Sequence, residues 1–340
     1  MGIDSVYYPP KRTKREKLES FFQLLGYIKS PISYDDEFLQ KCSPTLFTYF
    51  SQKPYESLQG VSFTVMIEKN TLVAYGRNNI SRNKSDHDFH NYTLKQLCEY
   101  LGGHFDYGYG KNKYCLYDGT VRENDESGCR AAIEHALGHL QNIQLLIRSV
   151  SIQWKLPIIK DDQFIFMNQI HPEITFSNLI NVNILTIIET FFKNIYVALL
   201  TYNDKKEKII SASKIKNSDL IDIANGKLRL EQVWANNLNF QNVKYICENF
   251  KQLDQNLGSK IKKELTKKRN DNYYFYEFIK NLTKHRNNFV HHNTKYLQHN
   301  LESLEKDLIL CKELIHCIYK SITQSKQWYY NEDDLPEPSF

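Results

Sequence analysis

The stretch from Asn178 to Leu200 limits the possible folds of this chain more than any other. Leu179, Ile180, Val182, Ile184, Leu185, Ile187, Ile188, Phe191, Phe192, Ile195, Val197, Leu199 and Leu200 leave no continuous polar face. A helix apolar nearly all round must be enclosed by other helices or by lipid. Glu189, Lys193 and several asparagines interrupt it, so the segment predicts the core helix of a bundle, not a membrane span. Glu189 and Lys193 stand at i and i+4, in the order that suits an ion pair.

Two more long helices follow. Tyr273 to Asn293 carries the stripe Phe275, Phe278, Ile279, Leu282, Phe289 and Val290, and Leu301 to Ile322 places apolar residues alternately three and four apart. The polar, looped stretch Ser211 to Leu257 holds shorter helical patterns at Leu228–Trp234 and Val243–Leu253. Together they predict an all-α bundle over residues 173–325. The acidic tail 326–340, with Glu332, Asp333 and Asp334, is expected to be mobile.

Residues 1–172 read differently, as a mixed α+β domain with a possible sensor or regulatory role. A short helix is expected between Lys14 and Tyr27. Val61, Phe63, Val65 and Ile67 alternate with polar neighbours and return through Lys69-Asn70 into Thr71–Tyr75, which predicts a β-hairpin. Thr93 to Leu101 predicts a helix stopped by Gly102-Gly103, His104 to Gly110 a turn, and Lys113 to Tyr117 a strand. Ser127 to Arg148 predicts a stronger helix, and Gln163 to Phe166 another strand. At 340 residues, two folding units are the natural expectation, and the chain is multidomain.

Seven cysteines without a C-x-x-C pair read as buried thiols of a reducing, cytoplasmic setting, and no signal peptide opens the sequence. Net charge is +5. Its distribution says more than the total: Lys260, Lys262, Lys263, Lys267, Lys268 and Arg269 fall within ten residues, and Lys11, Arg12, Lys14, Arg15 and Lys17 form a second run. The first run, upstream of the segment discussed next, is a candidate surface for an anionic partner. His135 and His139 share a helix face as two zinc ligands would, but the glutamate of H-E-x-x-H and an identifiable third ligand are lacking. A metal-dependent activity there is the weakest reading.

The candidate site lies in Lys284 to Asn293. Arg286 occupies a position where the apolar stripe should continue, and a guanidinium facing a core needs a partner. His291, five residues on, is about 140° away around an ideal helix. The two converge only if the helix end distorts near Asn293 or a second chain completes the site. The spelling R-N-x-x-x-H also occurs at Arg82 to His87, in a segment expected to be a polar loop; only context separates the two.

The order of an apolar helix with Glu189-x-x-x-Lys193, a helix with Arg286-Asn287-x-x-x-His291 and a regular apolar helix resembles the HEPN superfamily over about 175–325. The resemblance implies an all-α HEPN-like bundle and a metal-independent endoribonuclease of the toxin or abortive-infection, phage-defence kind, acting as a homodimer on RNA. It implies no cofactor or metal and no membrane, with an antitoxin or phage-derived trigger as partner. It makes Arg286, Asn287 and His291 catalytic, with Glu189, Lys193 and His292 auxiliary, and Lys260, Lys262, Lys263, Lys267, Lys268 and Arg269 the run that draws in RNA. An imidazole suits proton transfer near neutrality and a guanidinium suits a phosphorane. The other reading is a non-catalytic HEPN module that dimerises or binds nucleotide or RNA in a larger assembly.

Overall fold

The computed structural model describes residues 3–31, 42–51, 53–57, 60–78, 83–116, 121–151, 158–159, 164–211, 215–269 and 273–330. It divides into two compact units, Met1–Ser127 and Gly128–Phe340. The layout is a mixed α+β region followed by a helical one, as the sequence patterns predict.

In the first unit, β1 (Ile3–Tyr8), β2 (Ile28–Pro31), β3 (Thr45–Tyr49), β4 (Val61–Glu68), β5 (Thr71–Asn78) and β6 (His104–Asp106) form one sheet in the order β2-β3-β4-β5-β1-β6, every pairing antiparallel. The β4–β5 hairpin turns where expected. Lys69 and Asn70 both take left-handed conformations (φ 48° and 63°), as a two-residue hairpin matching the strand twist requires. Helices α1 (Arg15–Leu24) and α2 (Lys84–Leu101) supply Leu18, Phe22, Leu94 and Leu97 to a core shared with Tyr7, Phe47, Phe63 and Phe105. At Gly76 a Cβ would meet the His90 ring at 2.6 Å, so only glycine lets that helix and β5 approach.

Several expectations fail here. Helix α2 begins at Lys84 instead of near Thr93, because Asn83 caps it by accepting from the Asp86 amide at 2.9 Å. Asp86 and His87 are therefore buried helical residues, not loop; Arg82 lies outside the described residues. His104–Asp106 is a strand, paired to β1, where a turn was expected. Residues 113–116 form no strand, and Phe164 leads into a 3-10 turn (Ile165–Ile170) where a strand was expected. Tyr117 and Gln163 fall outside the described residues, as do 331–340 of the acidic tail.

The second unit contains most of α3 (Asn124–Ser151), which the sequence patterns had grouped with the first domain. It continues with α4 (Pro172–Thr201), α5 (Lys206–Ser211), α6 (Asn217–Ala224), α7 (Leu230–Asn236), α8 (Val243–Leu253), α9 (Gln255–Thr266), α10 (Phe275–His292) and α11 (Leu301–Lys326). Helix α4 is the predicted centre: it packs against α7, α8, α10 and α11. By length and composition it could cross a membrane, but it is mostly buried among these helices. The lysine-rich stretch begins on a helix, α9, packed closely on α8, and Lys267 to Arg269 follow its end. A Cβ on Gly258 would fall 2.6 Å from the Lys251 backbone nitrogen.

The asparagines of α4 explain how its apolar surface sets the loop between α10 and α11. Asn178 holds the Tyr296 peptide at both ends, accepting from its N–H (2.8 Å) and donating to its C=O (3.2 Å). One turn on, Asn181 Nδ2 lies 2.9 Å from His299 Nε2, and Lys295 donates to Thr175 Oγ1 at 2.8 Å. Buried amides at these positions are costly unless bonded, so the loop has one seat on α4.

Candidate functional site

Helix α10 carries the motif. Its inward side holds Phe275, Phe278, Ile279 and Leu282; beyond them the apolar stripe stops, since Phe289 is half-buried and Val290 is 53% exposed. Arg286 is half-buried and solves its charge problem through an amide. Its Nη1 donates to Gln241 Oε1 at 2.9 Å, and Gln241 Nε2 donates to Glu189 Oε2 at 3.0 Å. The carboxylate requires the NH2 of Gln241 and the guanidinium requires its oxygen, so only one amide orientation serves both. Glu189 thus compensates Arg286 across the bundle. It does so instead of the expected ion pair with Lys193, which is half-buried one turn away and absent from this relay.

Gln241 also walls a hollow of about 420 Å³ beside α10, lined by Lys280, Thr283, Lys284, Asn287 and Asn288. His291 stands one turn beyond Asn287 and Asn288, so it continues the face that lines this groove. It is exposed, as is His292. The helix stays regular through His292, and the left-handed residue is Asn293 (φ 50°). A distorted helix end therefore does not bring His291 to Arg286 within one chain.

The lysine-rich run is split. Lys260, Lys262, Lys263, Lys267 and Lys268 are exposed, whereas Arg269 is drawn into the fold. Its guanidinium bonds Glu264 at 2.8 Å and lies 4.5 Å from the centre of the Phe275 ring. That arginine is structural, and none of the six lines the groove; Lys280 and Lys284 do. Their four-residue spacing to Asn288 was the available signal. In the first basic run, Arg15 is likewise engaged, with Glu19 and Thr45.

A second hollow, about 300 Å³, lies on the other side of α10, against α11. His285 stacks on Tyr296 with ring centres 4.5 Å apart. Deeper in, His299 Nδ1 is 3.0 Å from Ser303 Oγ, and His299 Nε2 is 3.6 Å from Asp307 Oδ2. Burial lowers the His299 pKa to about 4 and raises that of Asp307 to about 6. Near neutral pH the pair is thus an uncharged imidazole beside a carboxylate, not an ion pair. Asn181 donates to both groups. The sequence patterns did not single out His299 or Asp307; the asparagines interrupting an apolar helix were the visible trace of them.

His135 and His139 are exposed on α3, their Nε2 atoms 3.1 Å apart. Among the described residues, no cluster of three or more His, Cys, Asp or Glu side chains could hold a metal ion.

No protein-family model matches the chain, no curated protein aligns with it significantly, and no solved structure superposes on it significantly.

Proposed function

We propose that the helical unit is a metal-independent endoribonuclease of HEPN type whose active site is completed by a second copy of the chain. The observation that carries this is Arg286, held by the Glu189–Gln241 relay at the edge of a lysine-lined groove whose face His291 continues. His291 would take the proton from a ribose 2′-OH as its oxygen bonds to phosphorus. The bond from phosphorus to the 5′-oxygen breaks, a proton passes to that oxygen, and the products are a 2′,3′-cyclic phosphate and a 5′-OH. Arg286 would neutralise the phosphorane, Asn287 would orient the phosphate, and His292 would be the reserve imidazole. The five exposed lysines of α9 and the loop after it would attract RNA over a longer range.

The divergence of Arg286 and His291 around a regular helix is why a dimer is part of the proposal: a two-fold axis along the last turn of α10 sets one chain's arginine against the other's histidine. The cellular setting that fits is a cytoplasmic toxin or abortive-infection effector restrained by an antitoxin or released by a phage-derived trigger, with the first unit as sensor. The same divergence favours, as second reading, a module that binds RNA or dimerises without cleaving. Incubating the purified protein with RNA in EDTA separates the two. Cleavage leaving cyclic-phosphate ends, lost in His291→Ala, supports the enzyme, and intact RNA leaves the binding module.

A further inference from the structure

The two hollows flanking α10 differ in chemical character. The groove beside Gln241 carries Lys280 and Lys284 and suits phosphate. The hollow on the opposite side is walled by Tyr274, Phe278, Tyr296 and His285, with carboxylates at Glu277 and Asp307. A phosphate would be repelled there; a flat, neutral ring with hydrogen-bond donors on one edge would not. The exposed ridge between them holds Lys284 and His291, so a nucleotide strand crossing it has its phosphate on one side and a base on the other.

We infer that the hollow between α10 and α11 is a base-binding subsite that selects guanine, and that it sets which phosphate is presented to Arg286 and His291. The selection rests on the ribonuclease reading for its consequence, but the binding itself does not. About 300 Å³ lies at the lower bound of small-molecule pockets and admits a single base. Tyr296 is 46% exposed with His285 stacked on its ring, so the pair offers an accessible aromatic platform, and its backbone is fixed by Asn178 on both sides. A platform held this way loses little freedom on binding. Aromatic rings stack on any base; the hydrogen-bonding groups must discriminate. Asp307 is an acceptor above pH 6, and His299 Nε2 already takes the Asn181 amide. His299 Nδ1–H can donate to Ser303 Oγ, whose hydroxyl donates to the Asn300 carbonyl at 2.8 Å. The Asp307 carboxylate lines the hollow and matches the adjacent N1–H and N2–H of guanine, which can bond one carboxylate bidentately. Uracil offers one N–H between two carbonyls and would be rejected.

The test is calorimetric titration of the full-length protein with 5′-GMP and 5′-UMP, in parallel with mapping of cleavage positions on a mixed-sequence RNA. GMP should bind measurably and UMP at least tenfold more weakly. Tyr296→Ala should weaken GMP roughly tenfold or more, with an unchanged melting temperature as the check on folding. Asp307→Asn should remove the preference for GMP over UMP. In cleavage, cuts should cluster beside guanines and lose that register in Tyr296→Ala. Equal binding of GMP and UMP, no binding of either, or binding unchanged in Tyr296→Ala would overturn the subsite even if RNA is cut. GMP binding that responds to both variants in a protein that never cuts RNA would keep the subsite and remove the ribonuclease.

Discussion

Two segments of this chain have the same R-N-x-x-x-H spelling and different surroundings. At the first, the asparagine caps a helix, donating also to the Tyr55 carbonyl at 2.6 Å, and His87 is buried 3.0 Å from the Cys115 carbonyl. At the second, Asn287 is exposed on the middle of a helix and lines a groove, and His291 is exposed at its last turn. A histidine held between backbone and neighbouring side chains contributes to stability; one open to solvent on the last turn of a helix is accessible to a ligand or a second chain. The comparison shows that a motif of this length acquires meaning from helix phase and burial, not from its letters.

The sharpest way to break the contrast is to exchange the fates of the two histidines. His291→Ala should lower RNA cleavage roughly 10²–10⁴-fold, as removal of a general acid or base does, with the melting temperature little changed. His87→Ala should do the reverse, lowering the melting temperature and leaving the rate per folded molecule unaltered. Equal losses of rate in both would erase the distinction.

Buried imidazoles should also declare themselves through pH. His299 has its pKa lowered from 6.5 to about 4, so the unfolded chain binds the proton first and stability falls as pH drops from 6.5 to 4. Asp307 has its pKa raised from 3.8 to about 6, so the folded state binds the proton first and stability rises as pH drops from 6 to 3.8. With Asn181, His285 and Glu277 as the groups facing them, the two effects oppose each other at about 3 kcal/mol apiece. Relative to the parent protein, Asp307→Asn should therefore melt progressively lower between pH 6.5 and 4, and His299→Gln progressively higher. Thermal melts across that range check both signs, and parallel curves for all three proteins would refute the pairing.

Smaller effects refine the comparison. Gln241→Ala leaves Arg286 and Glu189 without their intermediary and should reduce cleavage roughly tenfold, the worth of a charge-assisted hydrogen bond, while Gln241→Glu should bond the arginine but repel Glu189. Kinetics of the two variants read the relay directly. Asn83→Ala should cost about 1 kcal/mol through the lost cap, visible in denaturant midpoints, with no change in cleavage.

The sequence disclosed the helical unit well, because α4, α10 and α11 are long and their apolar periodicity decides burial without help from distant residues. The β4–β5 hairpin was legible for a similar reason, since strict alternation and Lys69-Asn70 are local signals. Strands β1, β2, β3 and β6 were not: Ile3–Tyr8 becomes a strand by pairing with residues some seventy positions away, and no local pattern reports that. The start of α2 was missed because a capping asparagine in a polar run looks like a loop. In the candidate site, Arg286 was visible as a charge on an apolar stripe, but its partner Gln241 comes from the chain between α7 and α8, and Arg269 appeared free only because Glu264 and Phe275 could not be placed against it.

The asparagines on α4 also bear on how the bundle finds its alignment. An apolar cylinder slides against its neighbours at little energetic cost, since one leucine replaces another at each turn. Asn178 and Asn181 remove that freedom: a shift of α4 by a single turn would carry both amides away from Tyr296 and His299 and bury them against hydrocarbon. Two polar residues in the most hydrophobic segment therefore act as an index mark, and their replacement by leucine should give a chain that still collapses but no longer selects one helix alignment.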